Sequence, residues 1–538
     1  MAGSIIAYTA AGILGLGLLG WRFRQEPKTY GTASWLEPWP ALKRGLFRRK
    51  GILVGDWTGL LPVYYEDTHA ISFGPSGSGK GTATILPNLL HTRFAFINDP
   101  GGENAAVAIK EWRRAGYEVC VINPFGMFMD KPWALPRQGF NPLDILDPDS
   151  ETFASEALLI AELLIVRSGK EDGSSLFFKN AATSFLQALL MHVITSLPEG
   201  ERHLGTVYGL VNSSAEDWEA LLEAMRANHA GDGLIAKMAD AMERREDQAS
   251  AEFSAIMSTV QQDLAWLGDT IVRENLKRSD VDFSVLKGRD KSGKKVKGGI
   301  IAVVLPLEYN ESHAAIPRLA LGRAIWEMQR APLAREKVLF VIDEAAALGK
   351  VTRFPNWLAT LRKYKAVLWP IFQNIGQVKA LYGDQWQTFI ANCGLRQFIS
   401  VSDLETAEYV HRLLGEFTTE SRSVNPDGKT STSETRRALL TVDEILHFDE
   451  KCQLVFISNL KAMALKKTPY WMRPELRGRF HRNPYQKRRA PLNFGGGIQS
   501  LYGKTYYALV CLLAPHPLVG AVYLAVAAGL GAQFWGAL

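Results

Sequence analysis

The segment Gly74-Pro75-Ser76-Gly77-Ser78-Gly79-Lys80 constrains this chain more than any other, because it fits G-x-x-x-x-G-K between a strand-like His69–Phe73 and a helix-like run over 82–90. Its glycines let the loop curl until successive backbone N–H groups converge on the β- and γ-phosphates of a nucleoside triphosphate. The helix that follows adds the partial positive charge of its N-terminus. Lys80 is placed to hold the same oxygens as a point charge. Position 81 is Gly81, where a magnesium-ligating hydroxyl is expected, and the next hydroxyl, on Thr82, is only a provisional metal ligand.

A phosphate loop of this kind needs a sheet behind it. Short apolar runs recur at 94–97, 118–122, 299–305, 338–342, 366–371 and 453–457, with helical patterns between most of them. Continuous apolar strands alternating with helices predict an α/β fold with a mostly parallel sheet covered on both faces. The run Val338-Leu-Phe-Val-Ile-Asp343-Glu344 has the form of an apolar strand ending in acid, so its carboxylates emerge at the sheet edge beside the phosphates. Asp343 is the expected Mg²⁺ ligand, and Glu344 the expected general base that orients the attacking water. Gln373 ends the next strand-like run, where a polar side chain can sense the γ-phosphate, and Asp99 ends another. Oligomeric P-loop motors complete the site with an arginine from a neighbouring subunit. Arg396 and Arg362 are the candidates here.

At 538 residues the chain exceeds what one core holds, and the motifs divide it. Residues 1–28 are expected to be an amino-terminal anchor, 29–147 and 283–478 the two parts of the nucleotide-binding domain, 148–282 an all-α insertion, and 479–538 a basic linker with an apolar carboxyl-terminal segment. In the insertion, Trp218, Leu221, Leu222 and Met225 follow helical spacing, as do Phe253, Ile256, Met257 and Val260. The lysine-rich stretch 285–297 reads as a solvated hairpin tip, or as a loop able to touch phosphates. Residues 420–436, rich in Ser and Thr, read as a mobile surface loop, and Thr441 with Glu444 as a capping box. Ser4–Trp21 carries no charge for eighteen residues, near the roughly 20 that cross a bilayer as a helix, and the basic residues follow it, which puts the body on the cytoplasmic side. The apolar stretch 506–535 fits either a second span or a buried helical hairpin. The formal net charge of +6 is too small on a chain of this length to point to nucleic acid by itself. Four scattered cysteines without metal-ligand spacing fit a reduced cytosolic body.

Six blocks, in order, resemble the coupling proteins of type IV secretion and bacterial conjugation: GPSGSGKG, FNPLDIL (140–146), VVLPLE (303–308), VLFVIDEAAALGK (338–350), WPIFQNIGQVKALYG (369–383) and DLETAEYVHRLLG (403–415). The resemblance covers about residues 30–470, and Gly81 is what that family usually shows. It implies a RecA-like, membrane-anchored ATPase of the bacterial inner membrane, using ATP and Mg²⁺ and working as a homo-hexamer. The implied partners are single-stranded DNA, a relaxase with its accessory proteins, effector proteins, and the components of a secretion channel. The chain departs from the family at Asp99-Pro100-Gly101-Gly102-Glu103, where a lysine is common at the third place, and in having one apolar segment at each end instead of two at the amino terminus. Two other readings stay open: a membrane substrate receptor that uses nucleotide as an assembly switch, and a segregation or packaging translocase of the same superfamily.

Overall fold

The structure, a computed structural model, describes residues 29–59, 61–169, 171–424 and 430–486. Its centre is an eleven-stranded sheet. The strands are β1 (Ile52–Trp57), β2 (Leu61–Tyr65), β3 (His69–Phe73), β4 (Phe94–Pro100), β5 (Glu118–Ile122), β6 (Gly299–Leu305), β7 (Val338–Ile342), β8 (Ala366–Phe372), β9 (Cys393–Ile399), β12 (Cys452–Ile457) and β13 (Met463–Lys466). Their order across the sheet is β2-β1-β13-β12-β9-β3-β8-β7-β4-β6-β5. The seven strands from β9 to β5 run parallel, and β12, β13, β1 and β2 add an antiparallel edge. The parallel strands are apolar along their length because both faces are covered: every residue of β6 and β7 is buried. On one face lie the helix after the phosphate loop and the helix Glu103–Ala115, packing Ile85, Leu89, Ala105 and Trp112 against Ile300, Val341 and Ile371. The other face is covered by helices that include Ala315–Gln329, Phe354–Thr360 and Leu404–Leu414, and its core runs on into the helices between β5 and β6.

That segment, from Phe153 to Leu276, contains no strand. Its longest helix, Gly173–Ser196, opens with the Asp172 side chain accepting from the Ser175 amide. Trp218, Leu221, Leu222, Met225, Ile256, Met257 and Val260 are all buried, so the apolar stripes form this unit's own core. The capping box is present, with Thr441 and Glu444 satisfying each other's backbone N–H groups.

Two expectations need correcting. The described parts of the stretch, 420–424 and 430–436, belong to an antiparallel hairpin, β10 (Glu416–Val424) and β11 (Thr430–Ala438), paired in continuous register from Glu416–Ala438 to Val424–Thr430. A hairpin with few buried positions shows no apolar alternation, so polarity hid the strands, while its β-branched threonines suit them. Residues 479–486 do not hang free as a linker. They lie along the helix Glu103–Ala115, where Arg479 donates to the Leu90 carbonyl and Glu111, and Tyr485 Oη donates to the Gly101 carbonyl at 2.7 Å. The lysine-rich stretch begins as a helical turn, Phe283–Lys287, and closes with an isolated bridge between Arg289 and Lys295. Lys287 is drawn inward to Glu327 at 2.5 Å. Both apolar terminal segments lie outside the described residues, and among the described residues no helix is long and apolar enough to cross a membrane.

Candidate functional site

The phosphate loop follows β3, as the sequence predicts, and glycine is required there for two different reasons. Gly77 and Gly79 adopt positive φ, +79° and +86°, which turns the backbone N–H groups inward. A Cβ on Gly74 would meet Ile399 and the Ser78 hydroxyl at about 3 Å, so this position is needed for close approach. Past the loop the chain makes one wide helical turn, Lys80–Ile85, before the α-helix Leu86–Leu89. Thr82 Oγ donates to the Gly79 carbonyl at 3.2 Å, which fastens the start of that turn.

Sheet order brings the acids to the loop. β8 lies between β3 and β7, so the residue that ends β8 must emerge between the phosphate loop and the carboxylates that end β7. Gln373 is that residue, and its side-chain amide donates to Glu344 Oε2 at 3.1 Å. Lys80 Nζ donates to Glu344 Oε1 at 2.5 Å and stands 4.0 Å from Asp343. The Asp343–Glu344 turn is held by Asn98 at the end of β4: Asn98 Nδ2 donates to the Asp343 carbonyl at 2.9 Å, and the Asp343 N–H donates to the Asn98 carbonyl. Glu344 itself has φ +51°, a left-handed backbone that a non-glycine residue adopts at a cost of about 1–3 kcal/mol. Glu344 shares this left-handed backbone with Ser400, φ +51°, which accepts from Lys467 beside the loop. Burial pushes the Asp343 carboxyl up to about 6; Lys80 opposes the shift and Glu344 adds to it.

Asp99, at the end of β4, is turned to the helix that follows it. It is fully buried and accepts from the Asn104 N–H and side-chain amide and from the Ala105 N–H, so it caps the helix Glu103–Ala115 from below. Burial raises its carboxyl to about 7 despite those hydrogen bonds. Arg396 is in mid-strand on β9, in register with Ile71 and Phe456, on the sheet face away from the phosphate-loop helix. Arg362 is exposed near the start of the parallel strands, where it lowers the pKa of His69, after burial itself.

Two residues escaped the sequence reading. Lys467, just beyond β13, donates to the Ser78 carbonyl at 2.8 Å and to Ser400 Oγ at 2.9 Å, bracing the phosphate loop from the antiparallel edge. Asn104 is 4% exposed, its amide nitrogen is held by Asp99, and its Oδ1 is buried without a partner. That oxygen lies 3.9 Å from where a Cβ on Gly81 would stand. No sequence signal marks either residue, since both reach the loop from distant elements. The groups present fit a magnesium-bound triphosphate: inward N–H groups and Lys80 for the phosphates, Asp343 for the metal, and Asn104 as an acceptor beside the place Gly81 leaves without a hydroxyl.

Residues 27–492 match the family model for type IV secretory system conjugative DNA transfer. Protein VirD4 of Rhizobium radiobacter is 25% identical over 500 residues, covering 89% of this chain and 69% of that protein. The conjugal transfer protein TraG of Escherichia coli is 24% identical over 475 residues, covering 78% of this chain and 70% of that one. Among solved structures, the conjugative coupling protein TrwBdeltaN70 in an unbound form superposes with TM-score 0.60 at 16% identity, over 83% of this chain and 95% of that one. TrwB in complex with ADP and Mg²⁺ gives TM-score 0.59 at 16% identity over 83% and 96%. The shared fold is the P-loop α/β sheet with its helical additions.

Proposed function

The chain belongs to the conjugative DNA-transfer family of type IV secretory systems, and from that premise we propose that it is a coupling ATPase. It hydrolyses ATP with Mg²⁺ to drive relaxase-bound single-stranded DNA, with or without effector proteins, into a secretion channel. The observation that carries the reading is the contact chain Gln373–Glu344–Lys80, which ties the end of β8 and the end of β7 to the phosphate loop. Supporting the substrate class are the VirD4 and TraG relatives, and supporting the nucleotide is the neighbour TrwB with ADP and Mg²⁺.

When bound, the metal would neutralise phosphate charge and polarise the γ-phosphoryl group. Asp343 would hold it, with Thr82 and Asn104 as further oxygen donors. Lys80 turns from Glu344 to the β- and γ-oxygens, because a polyphosphate carries more charge than one carboxylate. Glu344, released from Lys80, accepts the proton of the attacking water. Gln373, already hydrogen-bonded to Glu344, positions that carboxylate and moves with it when the γ-phosphate leaves. The turn also passes this shift to Asn98 and β4. Arg396 and Arg362 are the candidates for a guanidinium given to a neighbouring subunit of a hexamer. Ser4–Trp21 would anchor the body at the bacterial inner membrane.

Plasmid transfer from a donor lacking the chain tests the reading. Wild-type protein restores transfer, whereas Lys80→Ala and Glu344→Gln, expressed at the same level, do not. Restoration by Glu344→Gln would instead mean that nucleotide binding suffices and that the chain is a receptor switched by nucleotide.

A further inference from the structure

A cleft of about 790 Å³ lies away from the nucleotide site. It opens at the other edge of the sheet, where the parallel strands begin: Arg93 and Phe94 precede and start β4, Lys337 precedes β7, and Lys365 precedes β8. Arg49, Lys50, Arg93, Arg335, Lys337 and Lys365 line it together with Arg479, against two carboxylates, Glu66 and Glu336. Glu336 is already engaged by Arg93 at 2.7 Å. The side chains of Lys50 and Arg335 have no hydrogen-bond or ion-pair partner among the described residues. At the cleft wall, Arg49 reaches His91 Nδ1 at 2.7 Å, while the buried Nε2 of His91 and Nε of Arg479 have no partner. Burial, and after it the Arg49 and Arg479 guanidinium groups, lower the His91 pKa to about 3, so the imidazole stays neutral and adds nothing to a field set by arginine and lysine.

The helix Pro38–Arg44 borders this edge, for Arg44 pairs with Asp67, which lies just before β3. It presents Trp39, 45% exposed, with Lys43 Nζ 5.4 Å from the ring centroid. Lys43, Arg44, Arg48, Arg49 and Lys50 put five cations in eight residues. An exposed tryptophan beside lysine and arginine suits the head-group level of a bilayer. Thr29 follows Trp21, the end of the uncharged run, by eight residues, and eight residues span at most about 29 Å when fully extended. Nine further residues lead from Thr29 to Pro38, so the cationic helix follows the uncharged run closely along the chain.

We propose that this edge faces the membrane and that its cleft receives the phosphodiester head groups of anionic lipids. The proposal rests on the anchoring reading of Ser4–Trp21. A nucleic acid would offer the same phosphodiester chemistry, but it gives no reason for the exposed Trp39 or for the closeness of the apolar run. Clustered basic residues next to a membrane segment are drawn to anionic lipid.

The test uses the full chain in lipid nanodiscs, either zwitterionic or containing phosphatidylglycerol, with hydrogen exchange as the readout. Amides of residues 43–53 and 91–94 should exchange more slowly in the phosphatidylglycerol discs. The difference should vanish in the double variant K50E/R335E, whose ATP hydrolysis in detergent stays at the wild-type level. Neither inorganic phosphate nor an oligonucleotide added to zwitterionic discs should reproduce the protection. Equal exchange in both discs overturns the proposal. Protection by the oligonucleotide alone makes the cleft a nucleic-acid site, and equal protection by inorganic phosphate makes it a small-anion site; either outcome also overturns it. A chain that fails to co-elute with zwitterionic discs refutes the anchor alone, and phosphatidylglycerol vesicles added to that chain then score the cleft by the same exchange.

Discussion

Lys80, Glu344 and Gln373 form a contact series to which the proposed mechanism gives separable tasks. Lys80→Ala removes phosphate binding as well as turnover, so the affinity for ATP and kcat fall together. Glu344→Gln leaves the phosphate contacts intact and should keep ATP affinity within a few-fold while kcat drops about 10²–10⁴-fold, the usual worth of a general base. Equilibrium binding of a fluorescent ATP analogue beside steady-state hydrolysis separates the two, and a Glu344→Gln variant that hydrolyses normally would move the base elsewhere. Asp99 makes a second prediction at this scale. Its folded pKa, about 7, lies above the 3.8 of a free aspartate, so its contribution to stability is fully present below about pH 4 and is lost as pH rises through 7. That difference corresponds to at most about 4 kcal/mol. Denaturant unfolding of the nucleotide-free chain between pH 4 and 8 should show this decline, and Asp99→Asn should flatten it; an unchanged slope would put the titrating group elsewhere.

At the scale of elements, the antiparallel edge is a working part of the site and not an ornament of the sheet. β13 delivers Lys467 to the phosphate loop, and the segment after it is pinned by Arg473, whose guanidinium makes two hydrogen bonds to Asp56 of β1 at 3.2 and 2.7 Å. Both side chains are at least nine-tenths buried. Arg473→Ala strands a buried carboxylate and should cost about 3–5 kcal/mol, read as a lower denaturant midpoint, whereas replacing both partners with apolar residues of similar volume should recover most of the loss. The strands of the parallel sheet were legible in the sequence because burial on both faces demands apolar residues throughout, as in β6 and β7. Hairpin β10–β11 was not, since most of its described side chains are exposed and leave no pattern to read. The stretch from Arg479 reads as a basic linker because five of the eleven residues to Arg489 are lysine or arginine, yet Arg479 is held by Glu111 and Asn483 Nδ2 donates to Glu103 at 2.5 Å.

For the whole molecule, the proposed coupling activity predicts that single-stranded DNA raises ATP hydrolysis by the full chain and shifts it toward hexamers. Hydrolysis assays alongside light scattering, with and without an oligonucleotide, check both, and a DNA-bound wild-type hexamer without ATPase activity would sink the motor reading. The sequence by itself determined the local chemistry: a glycine-rich turn before Lys80, an apolar strand ending in Asp343 and Glu344, and the family that orders its six blocks. Those features rest on short-range constraints, backbone conformation and strand burial, which neighbouring residues set among themselves. Only the tertiary structure decided that β8 lies between the other two strands, and hence that Gln373 meets Glu344. It alone turned Asp99 under a helix, brought Lys467 and Asn104 to the phosphate loop, and gathered Arg49, Arg93, Arg335 and Arg479 around one cleft. Strand order and long-range docking depend on how separate apolar faces pack together, and residues hundreds of positions apart carry no local trace of that choice.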